Sequence, residues 1–310
     1  MKKSIVVILT LIVSMVAFAN SAASKEVKQM NDPGIKFQVH REKIWLPHEI
    51  NLLSITPREA EDQFLYLWFF EHTMFDAMEK GYSVYQGQRP TTVTLNEDAS
   101  RAEITAGDDF QWKLECQSVE DGVDLDLTVT NNTDYIWPEI SSIMPCLTPG
   151  SPHADKPPRM CEAFRDEDRT HTYYLGPDGL ALLPEVNIPL RFSHQYRPQV
   201  NQILRKGGHE TDKLPTSRFP NSEGSKWAIS PEVAHSGLMV RESSGGEWVV
   251  GVAWEDYLSV SAHYPLRCLH MAVRLGALEP GKTRTIRGKI YLFKGAKEDC
   301  LKRYRSDFDL

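Results

Sequence analysis

Residues His263–His270, HYPLRCLH, set two histidines, an arginine, a tyrosine and a cysteine around one proline. Histidine and tyrosine move protons, arginine binds carboxylates in bidentate fashion, and cysteine and histidine ligate metals. The flanking sequence is strand-like, so Cys268 and His270, two apart, point to one face. With His263 they would offer three ligands to an ion. Zinc sites, however, usually carry paired spacings, and no CxxC occurs here. The motif therefore reads either as a buried cysteine beside a histidine that hydrogen-bonds a neighbour or as a reactive strand end, with no metal and no cofactor assigned.

Three other stretches concentrate reactive side chains. RTHTYYLGPDG holds Arg169, His171, Tyr173 and Tyr174; RFSHQYRP holds Arg191, His194, Tyr196 and Arg197; AWEDY holds Glu255, Asp256 and Tyr257. No GxSxG elbow marks a nucleophilic serine. Glu255 and Asp256 are adjacent, so on a strand they face opposite ways. Either one acts with a distant partner, as glycoside hydrolysis would need, or both are strand-end acids in solvent or salt-bridged to arginine. β-Elimination on a uronic acid fits the recurring residue set better. A base removes the C5 proton, an acid protonates the group leaving C4, and a donor neutralises the carboxylate as the enolate forms. Singly, each histidine or arginine reads as a structural hydrogen bonder at a loop base; as a group they point to elimination.

These residues must be held by β-structure. TTVTLNEDASRAEITAG predicts two strands around a polar turn, and DFQWKLECQSVEDGVDLDLTVTNNTD two more around Asp121-Gly122. Further strands are expected at GLALLP, KWAIS, GLMVRES, GEWVVGVAWED, RCLHMAVRL and TRTIRGKIYLFKG, and a short helix at AKEDCLKRYRSDF. One longer helix is expected at TPREAEDQFLYLWFFEHTMFDAMEKG, capped by Thr56, Pro57 and Glu59 and ended by Gly81. Its apolar residues fill nearly every side, which predicts burial against a sheet. The long connections 136–169 and 187–225 are read as functional or disordered loops reaching over a sheet. The fold class expected is mainly β: a large antiparallel β-sandwich with one buried N-terminal helix and a short C-terminal helix.

Lys2, Lys3, the apolar run Ile5–Phe18 and the small residues after it read as a secretory signal peptide over 1–23, cut after Ala19 or Ala23. Residues 24–310 then form a single domain, exported to the periplasm or secreted, with no membrane attachment after cleavage. Losing Lys2 and Lys3 takes the formal charge from −7 to −9, which gives no electrostatic reason to bind nucleic acid. An anionic oligosaccharide would need a local arginine cluster. Five cysteines leave one odd; Cys146 and Cys161, flanking a Pro/Gly-rich loop, are the expected disulfide.

VVGVAWEDY, RCLHMAVRLGALEPGKTRTIRGKIYLFKG and LKRYRSDF resemble a family of exported bacterial β-sandwich proteins found beside polysaccharide-degrading enzymes. The likeness spans about residues 246–308. The layout is similar to galactose-mutarotase-like and polysaccharide-lyase sandwiches, and most similar to the oligosaccharide dehydratases of ulvan breakdown. The resemblance implies removal of water from a non-reducing-end glucuronic or iduronic acid beside a sulfated rhamnose, giving a 4,5-unsaturated uronate. The residues that carry it over are Glu255, Asp256, Arg267, Cys268 and His270. On this reading His263 or His270 is the base, and Tyr196 or His194 the acid. Arg197 and Arg267 hold the carboxylate, and Arg169 and Glu255 complete the substrate contacts. The alternatives are a non-catalytic carbohydrate-binding protein, a mutarotase-like isomerase that needs only a His/Glu acid–base pair, and a structural surface protein.

Overall fold

The computed structural model describes residues 34–42, 49–73, 91–107, 110–137, 139, 141–150, 160–166, 170–183, 195–199, 232–263 and 268–309. Among them the chain forms two antiparallel sheets packed face to face. The seven-stranded sheet runs β1 (Ile35–Glu42), β2 (Ile50–Pro57), β3 (Leu65–Thr73), β8 (Ser142–Thr148), β15 (Cys268–Arg274), β14 (Tyr257–His263), β11 (Gln195–Tyr196). The nine-stranded sheet runs β10 (Gly179–Leu182), β9 (Thr172–Gly176), β12 (Leu238–Glu242), β13 (Trp248–Trp254), β16 (Thr283–Lys294), β7 (Gly122–Asn131), β6 (Phe110–Val119), β5 (Arg101–Ala106), β4 (Thr92–Leu95). The expected sandwich is present. The strand readings over β4–β7, β10, β12, β13, β15 and β16 hold; KWAIS and residues 1–23, read as a signal peptide, lie outside the described residues.

Two expectations are corrected. The segment read as an N-terminal helix is turn over 58–63 and then strand β3; residues 74–90 lie outside the described residues. Thr56 and Pro57 do not cap a helix but end β2, where Pro57 faces Ile35. Aromatic residues on every side of a segment mark burial on all sides. A central strand covered on both faces satisfies that pattern as well as a helix does. The expected Cys146–Cys161 disulfide is also absent: all five cysteines are buried free thiols. Cys161 donates to the carbonyl of Asp62 at 3.3 Å, whereas Cys146 lies in a strand beside Cys268.

Alternation sorts the side chains of the seven-stranded sheet. Leu67, Ile143, Leu147, Val260, Leu269 and Met271 face the shared core, where they meet Ile104, Leu114, Leu127, Val252 and Ile290 of the other sheet. The outward set includes Ile50, Leu52, Tyr66, Trp68, Cys146 and Cys268, a separate apolar cluster.

Strand β3 breaks its alternation once. Trp68 faces Cys146 of β8, but the next registered pair is His72 with Met144. Residues 69–71 therefore stand opposite Pro145 alone. Proline has no N–H to give to a ladder and is tolerated in sheets at bulges. The extra length lets Phe69 and Phe70 both enter the core, edge-on to Trp112 at 4.9 and 5.6 Å. Glu71, next in the chain, is then available to the outer face.

Helix α1 (Lys297–Asp307) packs on the outer face of the nine-stranded sheet, burying Cys300 and Tyr304 against Leu238, Val240, Val249, Tyr291 and Phe293. Gly251 permits the approach, since a Cβ there would lie 2.6 Å from the Cys300 sulfur. An ion network fixes the helix: Lys289 Nζ lies 3.1 Å from Asp121 and 2.9 Å from Asp307, and Arg303 lies 2.8 Å from Asp121. Burial works against the Asp121 carboxylate, yet the Arg303 hydrogen bond and the Lys289 charge outweigh it and hold its pKa below the usual range.

Two outcomes follow from this packing. Phe69→Ala should cost about 3–5 kcal/mol of unfolding free energy in a urea titration, because the cavity opens between two sheets that cannot both close on it. A depressed folded-state pKa stabilises above the unfolded value, near about 3.9, and the benefit is lost as pH falls through the folded value. Asp121→Asn should therefore lose about 1–3 kcal/mol at neutral pH. The gap between the two proteins should close in melts taken at progressively lower pH.

Candidate functional site

The outward face of the seven-stranded sheet gathers the polar chemistry. The ladders place His270 opposite Cys146 on one side and Ser261 on the other. Trp68 faces Cys146 in turn. Trp68, Cys146, His270 and Ser261 thus form one cross-strand row over β3, β8, β15 and β14. Tyr196 of β11 faces Ser259 of β14, two residues along the strand from Ser261, and so belongs to the same face. Alternation puts His40 there as well, its ring edge-on to Tyr66 at 5.4 Å; burial holds its pKa below the ordinary histidine value.

At the centre of the row, His270 Nε2 lies 2.8 Å from a Glu71 carboxylate oxygen. His270 is 1 % exposed and Glu71 4 %. Burial alone would lower the histidine pKa, but Cys268 and Glu71 beside it prevail and raise it to about 10. The sulfurs of Cys146 and Cys268 and a ring nitrogen of His270 all lie within 4.8 Å of one another. The Cys146 thiol is pushed well up, first by burial and then by Cys268 and Glu71.

The sequence-nominated residues divide. His270 and Tyr196 share this face. His263 faces Cys268 in the ladder, its side chain lying outside the described residues, as do His194, Arg169 and Arg267. Arg197 leaves the end of β11 and binds Asp256 Oδ1 at 2.9 Å, with its guanidinium 5.4 Å from the Tyr257 ring centroid. Arg274 and Arg284 bind the other oxygen of Asp256, and Arg274 also reaches Glu139. Glu255 accepts from the Arg287 backbone N–H at 2.8 Å and its Nε at 3.1 Å. Both acids of AWEDY are thus bound to arginine at the turn between β13 and β14. Tyr174, from the first cluster, lies on the nine-stranded sheet and donates to Glu232 at 2.5 Å. Two shallow depressions on that sheet, one near Glu103 and Asp126 and one near Lys113 and Thr130, contain none of the nominated residues.

Sequence reasoning missed Glu71 and Cys146. Glu71 did carry a signal: a lone carboxylate in the apolar run LYLWFFEHT is almost never buried unpaired. Cys146 carried none, because its neighbours come from a strand more than a hundred residues later.

No family model matches the sequence, and no curated protein matches it. Solved structures of similar layout include a galactose mutarotase related enzyme from Lactobacillus acidophilus, at 10% identity over 84% of this chain and 98% of that one, TM-score 0.40. A galactose mutarotase-like protein from Lactobacillus casei ATCC 334 matches at 10% identity over 82% and 100%, TM-score 0.41. A galactose 1-epimerase from Lactobacillus acidophilus NCFM matches at 6% over 84% and 99%, TM-score 0.38. Likeness at this level carries no weight for mechanism or substrate.

The Asp256 cluster gives a structural prediction. Asp256→Asn removes the one charge that three arginines share, and should cost about 1–3 kcal/mol in thermal or urea unfolding. Arg197→Gln, which leaves Asp256 two cations, should cost less.

Proposed function

We propose that this chain is a carbohydrate-active lyase whose centre lies on the outward face of the seven-stranded sheet. The proposed reaction is removal of water from a non-reducing-end uronic acid by β-elimination, yielding a 4,5-unsaturated uronate. The observation that carries the reading is the row through Trp68, Cys146, His270 and Ser261, with Glu71 on His270 and Tyr196 on the neighbouring strands. Elimination needs a proton-transfer group and a centre that stabilises the enolate. Glu71 fixes the His270 ring and holds its proton, which suits His270 to face the substrate carboxylate. Tyr196, a phenol with its own proton, is the acid that protonates the C4 hydroxyl as it leaves as water, and His263, two residues along β14 from Ser261, is the base that takes the C5 proton. The uronate substrate class comes from the resemblance of residues 246–308 to ulvan oligosaccharide dehydratases.

A mutarotase-like isomerase is the second reading, because His270 and Glu71 are the two residue types that sugar ring opening uses. They touch each other at 2.8 Å, so one would act through the other.

Incubation with uronate-terminated oligosaccharides should raise absorbance near about 235 nm, the region of an unsaturated uronate. Tyr196→Phe and His270→Ala should each slow the rise by about 10²–10⁴-fold. No rise with any uronate, together with faster equilibration of α-galactose or α-glucose in a polarimeter, would replace the lyase with the isomerase.

A further inference from the structure

We propose that Cys146, Cys268 and His270 form a transition-metal site, with zinc(II) the ion that best suits the donors. Two soft sulfurs and one imidazole nitrogen within 4.8 Å of one another, all on buried residues, are the donor set that zinc takes in Cys/His sites. The ladder makes the triangle rigid: His270 stands directly opposite Cys146, and Cys268 is two residues along the same strand. No loop has to move to close it.

The competing use of two neighbouring cysteines is a disulfide, and the register opposes it. Cys268 is diagonal to Cys146, and diagonal positions on adjacent strands stand roughly 7–8 Å apart. Disulfides need Cα atoms closer than about 7 Å. An ion spans that gap, since each sulfur need only reach its own bond to the metal.

The surroundings supply what a metal site needs beyond its ligands. Metal-bound histidines usually give their other ring nitrogen to a carboxylate. His270 pairs with Glu71 through Nε2 at 2.8 Å, and the ion would take the other ring nitrogen. Two thiolates balance the charge of the dication, so the loaded centre carries only the single negative charge of Glu71. Ile50, Leu52, Tyr66 and Trp68 cluster with the two cysteines and give it an apolar wall. Ser261, directly opposite His270, is 0 % exposed, and its hydroxyl has no hydrogen-bond partner among the described residues. A fourth ligand, such as water, would complete a tetrahedral site. Three protein ligands leave that position open, as in catalytic rather than structural zinc sites.

The presence of the ion rests on these donors alone. Only its role depends on the lyase reading: at the open position it would receive the substrate carboxylate that the His270 centre is otherwise assigned.

The test uses the full chain, purified under a non-chelating reductant, then loaded with zinc or cobalt and dialysed. About one equivalent of zinc per chain should remain. The cobalt form should show a thiolate-to-metal charge-transfer band in the near ultraviolet, together with intense tetrahedral visible bands. Cys146→Ser and Cys268→Ser should each weaken the charge-transfer band and lower affinity, and Glu71→Gln should weaken binding by about 10–100-fold. Cys116→Ser, in the other sheet, should change neither. Should the serine variants fail to fold, the wild-type cobalt spectrum decides. A wild-type chain that retains no metal, or binds cobalt without a thiolate band, overturns the site. Neither readout depends on catalysis, so the site can fail while the lyase reading stands, and the reverse.

Discussion

A carboxylate cannot be buried in the apolar face of a sheet without a partner. The Glu71–His270 contact meets that constraint, and much of the local architecture exists to make it. Pro145 leaves a gap in the β8 ladder, β3 bulges across it, Phe69 and Phe70 turn inward together, and Glu71 reaches outward. Packing and polarity are coupled at this point. The residues that lock the two sheets through Trp112 are covalent neighbours of the carboxylate that locks His270.

The sandwich therefore has two sides of different character. The nine-stranded sheet carries helix α1 on its outer surface, fastened by apolar contacts and by the Lys289, Asp121, Asp307 and Arg303 network. That surface is spent on stability. The outward face of the seven-stranded sheet carries imidazole, carboxylate, thiol, phenol and hydroxyl groups in facing positions, all of them on buried residues. Chemistry-bearing side chains set on ladder positions are held more firmly than side chains on loops. Between the two, Asp256 draws Arg197, Arg274 and Arg284 into a structural knot at the turn before β14.

Much of the fold was legible because its strands follow one simple rule. Leu125, Leu127 and Val129 alternate with polar residues, Asp121-Gly122 marks a hairpin, and both signals hold in β7. Strand β3 was not legible, because a strand covered on both faces loses its period and looks like a buried helix. The site was half legible. Cys268 and His270 announced a shared face through their spacing, and Tyr196 joined them. The partners that give His270 its chemistry come from β3 and β8, and no local pattern reveals which strands will flank β15. Arg197 and Glu255 were visible as charged residues near strand ends, but whether a charge serves a ligand or a neighbour depends on contacts fixed only in three dimensions.

The most direct measurement is the mass of a uronate-terminated oligosaccharide before and after incubation with the wild-type protein. The account predicts a product lighter by one water with every glycosidic bond intact. Chain cleavage would keep the elimination chemistry and move the leaving group to the glycosidic oxygen. Unchanged mass across uronates of both C5 configurations would contradict the account.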